Sequence, residues 1–353
     1  MSAAASSAPA PAVTVRAVGM TTPLGDGLDA SCAALRAGLS RFREMPWIAL
    51  ESLENKPIVP VGATVFEEGR RGLGRLVDLA ASALADLFAR AETTAEDLAN
   101  AGMYVALGER GRPGLDPRAH TDMGPRLSER LGLGPAHGMT VVAEGHAGFV
   151  EALALASRDL AQKKVPRAIV GAVDALTDDA TVRWLHGARR LKAGDRPVGL
   201  FPGEGAAFAL LTPGKTPGAI TLAGAVTTTE SATEGRDTPC IGTGLGDAIR
   251  RTRLALDEGS EIGLVVSDMN GEVYRSEEIG YAFTRALAKT QFRLWHPADA
   301  IGDSGAAAPA IGLGMAARAL QRGYGRTSTA LVLSSSDGGL RGCFAVQKTH
   351  EKG

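Results

Sequence analysis

Twice along this chain an Ala/Gly/Leu-rich helix leads into an apolar strand, a glycine-rich turn and a closing strand. The first passage is the helix after residue 148, the strand AIVGAVD at 168–174, the turn GLFPGEGAA at 199–207 and the strand at 208–211. The second is the helix at 305–320, the strand at 330–333, the turn at 334–342 and the strand at 343–346. A repeat of this order implies an internal duplication, with a boundary at 213–218 between halves spanning 13–213 and 219–347. Strands that alternate with helices predict an α/β protein whose mostly parallel sheets are covered on both faces. A chain of 353 residues is long enough to bury the core this requires.

The first half opens with a strand at 13–18, a Pro/Gly turn at 19–25 and a helix whose apolar face carries Leu28, Cys32, Leu35 and Leu39, with Asp26 or Asp29 as its cap. An irregular stretch from 42 to 70 precedes a long helix with Leu73, Leu76, Leu79, Leu84 and Leu87 on its buried side. A strand at 103–107 and a helix at 122–131 follow. The second half restarts with a strand at 220–228, a helix at 246–256 and a strand at 262–267. The polar turn DMNGE at 268–272, a helix at 276–288 and a loop at 295–303 complete it.

Net charge is −1, so no nucleic-acid or anionic-membrane partner is indicated, and no apolar run of ~18 residues offers a membrane span. The three cysteines, Cys32, Cys240 and Cys343, are odd in number and widely spaced, which fits neither a disulfide framework nor a metal knuckle. Residues 1–12, MSAAASSAPAPA, lack a signal peptide's apolar core and are expected to be a disordered tail, and the protein is expected in the cytoplasm.

Residues 139–157, MTVVAEGHAGFVEALALAS, carry the chemistry. A β-branched strand end turns through small residues into an Ala/Leu helix, a geometry that lifts one side chain clear at the positive end of a helix. That raised side chain is expected to be Glu144. His146, two residues on, is either a cap or packing residue or a displaced base. Cys343 reads as core and Cys240 as a loop thiol with no histidine beside it in sequence. The glycines of GLGDAI and GEGAA lack the spacing and the lysine of a phosphate loop. Arg183, Arg189, Arg190, Lys192 and Arg196 read as a solvated basic face or a dock for an acidic carrier protein.

Taken in order, several segments resemble the β-ketoacyl-acyl-carrier-protein synthases of the thiolase superfamily. VGMTTPLGDGLDASCAALRAG (18–38) is similar to that family's first strand, turn and helix. AIVGAVDALTD (168–178) resembles its GGVDAL strand, and GLFPGEGAAFALL (199–211) its GFVLGEGAGVLVL signature. IGDSGAAAPAIGLGMAARAL (301–320) looks like its NIGHTEGAAG segment, and SSSDGGLRGCFAV (334–346) stands where it has the GFGGTN turn. The resemblance covers about residues 13–347 and implies a five-layered αβαβα thiolase-like fold of two duplicated halves, dimerising through a central strand.

The resemblance also implies where the chemistry departs. The family's nucleophilic Cys matches Glu144, its two His match Asn270 and Asp303, its Lys matches Ala298, and its Phe gate matches Asp337. A carboxylate is a poor nucleophile toward a thioester, and a second carboxylate repels an anionic malonyl group. The expectation is therefore a degenerate, non-condensing protein that needs no cofactor and binds no metal. Its expected roles are those of a scaffold, chaperone or partner subunit, either like the chain-length factors that pair with an active thiolase-fold synthase or like thiolase-like accessories of type VI toxin secretion. Its expected partners are a second thiolase-fold subunit, as homodimer or heterodimer, and an acyl carrier protein or a secreted toxin or spike. The alternative is an acyl-thioester-handling enzyme, an acyltransferase, decarboxylase or hydrolase using Glu144, which would form a carboxylate pair with Asp303. A metal held by Glu144, His146 and Asp303 is a further possibility.

Overall fold

The computed structural model describes residues 12–52, 54–66, 71–132, 138–233 and 238–349; the tail expected at 1–12 lies, but for its last residue, outside them. Ten strands of three or more residues make up the main sheet among the described residues. In chain order they are β1 (Val13–Thr22), β2 (Gly102–Ala106), β3 (Met139–Val142), β4 (Ala168–Ala175), β5 (Glu204–Pro213), β6 (Ile220–Thr229), β7 (Ile262–Ser267), β8 (Arg293–Trp295), β9 (Thr329–Ser335) and β10 (Leu340–Lys348). Their spatial order is β8-β7-β9-β10-β6-β1-β5-β4-β2-β3. The seam is short: β1 pairs antiparallel with β6 only at Val13–Val15 against Ile220–Leu222. Outward from the seam each half repeats the other, two antiparallel strands (β1-β5 and β6-β10) and then three parallel ones (β4-β2-β3 and β9-β7-β8).

The helices that build the layers are α1 (Leu28–Arg36), α2 (Gly72–Ala91), α3 (Ala119–Arg130), α4 (Gly148–Ala161), α5 (Asp179–Gly187), α6 (Thr243–Arg253), α7 (Val273–Ala286) and α8 (Ala308–Arg322). Helices α2 and α3 cover the outer face of the first half, and α6 and α7 that of the second. Between the halves lie α4 and α8, each touching strands of both. The result is the five-layered αβαβα arrangement. Every residue of β4 and β9 is buried, which is why both read as unbroken apolar runs instead of alternating ones.

A helix squeezed between two sheets needs small residues on two sides. A Cβ at Gly312 would stand 2.9 Å from Val332 Cγ1 on β9, and one at Gly314 3.0 Å from Leu28 Cδ1 and 3.2 Å from Met20 Sδ, on the side of the first half. The glycines and alanines of α8 are thus the price of its position. The same logic governs the start of the chain. The turn expected at residue 19 is instead the middle of β1, which runs on to Thr22 because Gly19 lets the strand lie directly on α2. A Cβ there would fall 2.1 Å from the Leu87 backbone nitrogen, which has no room to yield. Gly19→Ala is expected to cost about 3 kcal/mol or more, seen as a lower urea midpoint with unchanged slope; a loss under ~1 kcal/mol would contradict this packing.

Three local expectations are corrected. The cap of α1 is neither Asp26 nor Asp29: Gly27 is the N-cap, and Asp86 on α2 accepts hydrogen bonds from Met20 N (3.1 Å) and Leu28 N (2.8 Å). Leu39 lies beyond the end of α1 and is 56% exposed. The loop expected at 295–303 begins in strand β8 and contains a one-turn helix, Ala298–Ile301.

Candidate functional site

The two central helices are entered by matching turns. Each begins with a glycine in the left-handed region, Gly145 at φ 67° and Gly305 at φ 55°, followed by a 3-10 turn (Gly145–Ala147, Gly305–Ala307) and then α4 or α8. The turns touch each other and bring residues of both halves to one buried spot. Ser336, from the turn between β9 and β10, clasps the first of them by accepting from Ala147 N at 2.8 Å and donating to Glu144 O.

Around this spot lies a cavity of about 220 Å³, lined among others by Glu109, Gly145, His146, Arg190, Asp303 and Asp337. Glu144 is not on its wall. It is exposed, and the residue at the sharp point of the turn is its neighbour Gly145. Glu144, expected to be the raised side chain, thus stands outside this cavity, and the left-handed residue of the turn is Gly145. Local sterics explain the difference: the left-handed turn conformation suits glycine and strains any β-substituted residue. The space a side chain at 145 would need is also taken, since a Cβ there would lie 2.7 Å from Glu109 Cγ. Burial raises the Glu109 carboxyl pKa, against the opposing hydrogen bond from Gly338 N.

Asp303 does not pair with Glu144 either. Its partners are His146, whose Nε2 lies 2.8 Å from Oδ1, and Asn270, whose Nδ2 donates to Oδ2 at 2.7 Å. Gly305 N adds a third bond to Oδ1 at 2.8 Å. Asn270 and Asp303 are thus brought together, with an imidazole from the first half as their neighbour. Behind them runs an ion network. Arg275, 1% exposed, holds Asp268 (2.9 Å) and Asp337 (3.3 Å), and its Nη2 faces His146 Nδ1 at 3.5 Å. Arg190 forks onto Glu272 (2.6 and 3.0 Å) and Asp337 (2.6 and 3.2 Å). Asn270 Nδ2 also donates to Glu272 Oε2 at 2.9 Å, closing the loop. Beside it, Arg112 grips buried Asp174 through two bonds of 2.6 and 2.7 Å. Arg190 is thus half-buried and ion-paired where a solvated basic face was expected, while Arg183 and Arg189 of the same run are exposed.

The electrostatics follow. Burial disfavours the charged imidazolium of His146, but the Asp303 carboxylate outweighs it and the His146 pKa is raised. Burial likewise opposes ionisation of Asp303, yet His146 and Arg275 hold its carboxyl far below the ordinary range. Asp337 is held at about 2 by Arg275 and Arg190 against its own burial. A raised histidine pKa contributes stability that is complete below about pH 6.5 and is lost as pH rises through the folded value. A depressed carboxyl pKa contributes stability above about pH 4 that is lost as pH falls through the folded value. Stability is therefore expected to fall in urea titrations as pH rises above about 6.5, and His146→Asn is expected to remove that fall. A variant with the same alkaline slope as the parent would exclude His146 as its source.

No metal trio forms from Glu144, His146 and Asp303, because Glu144 stands apart from the other two. Elsewhere, Glu230, Cys240 and Glu278 bring ligand atoms within 4.8 Å of one another, with Cys240 Sγ 3.5 Å from Glu278 Oε1. Burial pushes the Cys240 thiol up to about 11, so it is not a ready nucleophile. Sequence spacing gave no sign of that grouping, nor of Glu109, Arg112 and Arg275 around the cavity. The one clue was the density of acids in DMNGE at the end of a strand, which supplies Asp268, Asn270 and Glu272.

The duplicated halves, the paired central helices and the turns that enter them define a protein of the thiolase-like, ketosynthase-type fold. Solved structures agree. A type II polyketide ketosynthase in complex with its acyl carrier protein matches with TM-score 0.79 over 96% of this chain and 99% of that chain, at 13% identity. The ishigamide ketosynthase/chain length factor matches with TM-score 0.75 over 98% of this chain and 100% of that one, at 16% identity. An oxazolomycin ketosynthase domain from Streptomyces albus matches with TM-score 0.74 over 97% and 75%, at 14% identity. At these identities the likeness is one of fold. No protein-family model and no curated protein matches the sequence. Among the described residues no helix is long and apolar enough to cross a membrane.

Proposed function

We propose that this chain is a non-condensing protein on a ketosynthase scaffold, acting through its surfaces as a partner or scaffold subunit. The observation that carries the reading is Gly145: the point of the turn, where a nucleophile would stand, has no side chain and Glu109 fills the space. Condensation needs a thiolate to hold the acyl group and donors to stabilise the carbanion left by decarboxylation. Here Asn270 and Asp303, the positions matching the family's two histidines, are tied to His146 and Glu272.

Two partner classes have support from the neighbours: one is a ketosynthase/chain length factor and another was solved with an acyl carrier protein. Strand β3 ends the sheet order and so offers an edge to a second thiolase-fold subunit. The test incubates the purified protein with malonyl and acyl carrier-protein thioesters, followed by intact mass and thiol release, and measures its assembly with a thiolase-fold subunit or an acyl carrier protein from its own gene neighbourhood by light scattering. No adduct, no turnover and a defined complex are expected. A covalent acyl adduct ends the reading, and a complex with a secreted toxin or spike in place of these partners would move it to the secretion-accessory role.

One observation favours a second reading, thioester hydrolysis: the buried His146–Asp303 pair at 2.8 Å faces a cavity. His146 would act as general base on water, the role expected for Glu144. Thiol release that His146→Gln abolishes would establish it.

A further inference from the structure

A second and larger cavity, about 680 Å³, opens away from the turns, beside the C-terminal end of α8 and against α1. Its volume is that of a small-molecule site. One wall is aromatic: Trp295 and Tyr324 stack with centroids 6.2 Å apart and planes at 26°. The guanidinium of Arg36 lies 4.1 Å from the Tyr324 ring centroid, marking that ring's face as one where flat groups and cations rest. Leu35, Leu39 and Met315 supply apolar surface, and Leu39 is the residue the amphipathic pattern of α1 had assigned to the interior.

The charge is one-sided. Arg36, Arg293 and Arg326 line the cavity against a single carboxylate, Asp299, and none of the three arginines is ion-paired among the described residues. Arg293 and Arg326 also border an adjoining polar hollow of about 850 Å³, so the cationic rim continues past the aromatic wall. A neutral ligand would leave these guanidiniums unpaired, and an aliphatic anion would leave the aromatic wall unused. We infer that this cavity binds a planar aromatic anion, its ring against Trp295 and Tyr324 and its acidic group on Arg36 and Arg326. Nothing in the inference depends on the chemistry of the site at Gly145.

The probe is 2-naphthoate, followed by quenching of Trp295 fluorescence (the parent minus Trp295→Phe) and by calorimetry. The expected result is saturable one-to-one binding that is at least tenfold tighter than that of neutral 2-naphthalenemethanol. Tyr324→Ala should weaken binding about tenfold. Because that variant also removes packing, Arg36→Glu and Arg326→Glu, on exposed side chains, should do the same with unchanged circular dichroism and urea midpoint. Absence of saturation, equal binding of the neutral alcohol, or wild-type affinity in both charge reversals would each overturn the assignment.

Discussion

Cysteine installed at position 145 is expected to give no acyl-enzyme and to lower stability by about 2–4 kcal/mol. Two effects add. Gly145 sits at φ 67°, which a β-substituted residue adopts only under strain. Its new Cβ would lie 2.7 Å from Glu109 Cγ, forcing that side chain to swing and give up its 3.0 Å bond from Gly338 N. Adding Glu109→Ala should recover the steric part and leave the backbone part. Even with a thiol in place, Asp303 and Asn270 supply neither the imidazoles nor the positive field that a thiolate and a developing carbanion need. Intact mass after incubation with acyl thioesters, together with urea midpoints, tests both halves. A stable, acylated Gly145→Cys protein would show that only the nucleophile had been lost.

Asp303→Ala is expected to be about as costly, near 3–5 kcal/mol, because it breaks a buried pair and strands what remains. Asp303 is 3% exposed, and its two oxygens serve His146, Asn270 and Gly305 N. Without it the imidazole faces Arg275 with no carboxylate between the two cations, and the Asn270 amide keeps only Glu272. The double variant Asp303→Ala/His146→Phe should cost less than the sum of the two singles by about 1–3 kcal/mol, since no imidazole is then left unpaired. Strict additivity in the denaturation cycle would show that the pair has no energetic coupling.

Much of the scaffold was legible because its signals are local. The buried strands at 168–174 and 262–267, the long leucine helix and the small-residue helix each carry a period or a composition that only one environment tolerates. The duplication was legible for the same reason: two halves with one topology need the same order of elements. At the site the sequence located the strand-to-helix turn, but which residue takes the left-handed conformation depends on backbone geometry, and that residue is Gly145. His146 was visible only as one of several readings, since its partner stands 157 positions away.

The sequence by itself determined the layered α/β architecture and the repeated halves. These follow from side-chain periodicity and residue identity, which need no knowledge of distant neighbours. Only the tertiary structure decided that Glu109 fills the space over Gly145, that His146 and not Glu144 meets Asp303, and that Arg190 and Arg275 converge on Asp337. Each is a contact across many tens of residues, made when paired helices and two half-sheets bring separate turns to one point. Charge placement in a core is set by that meeting, which no local pattern encodes.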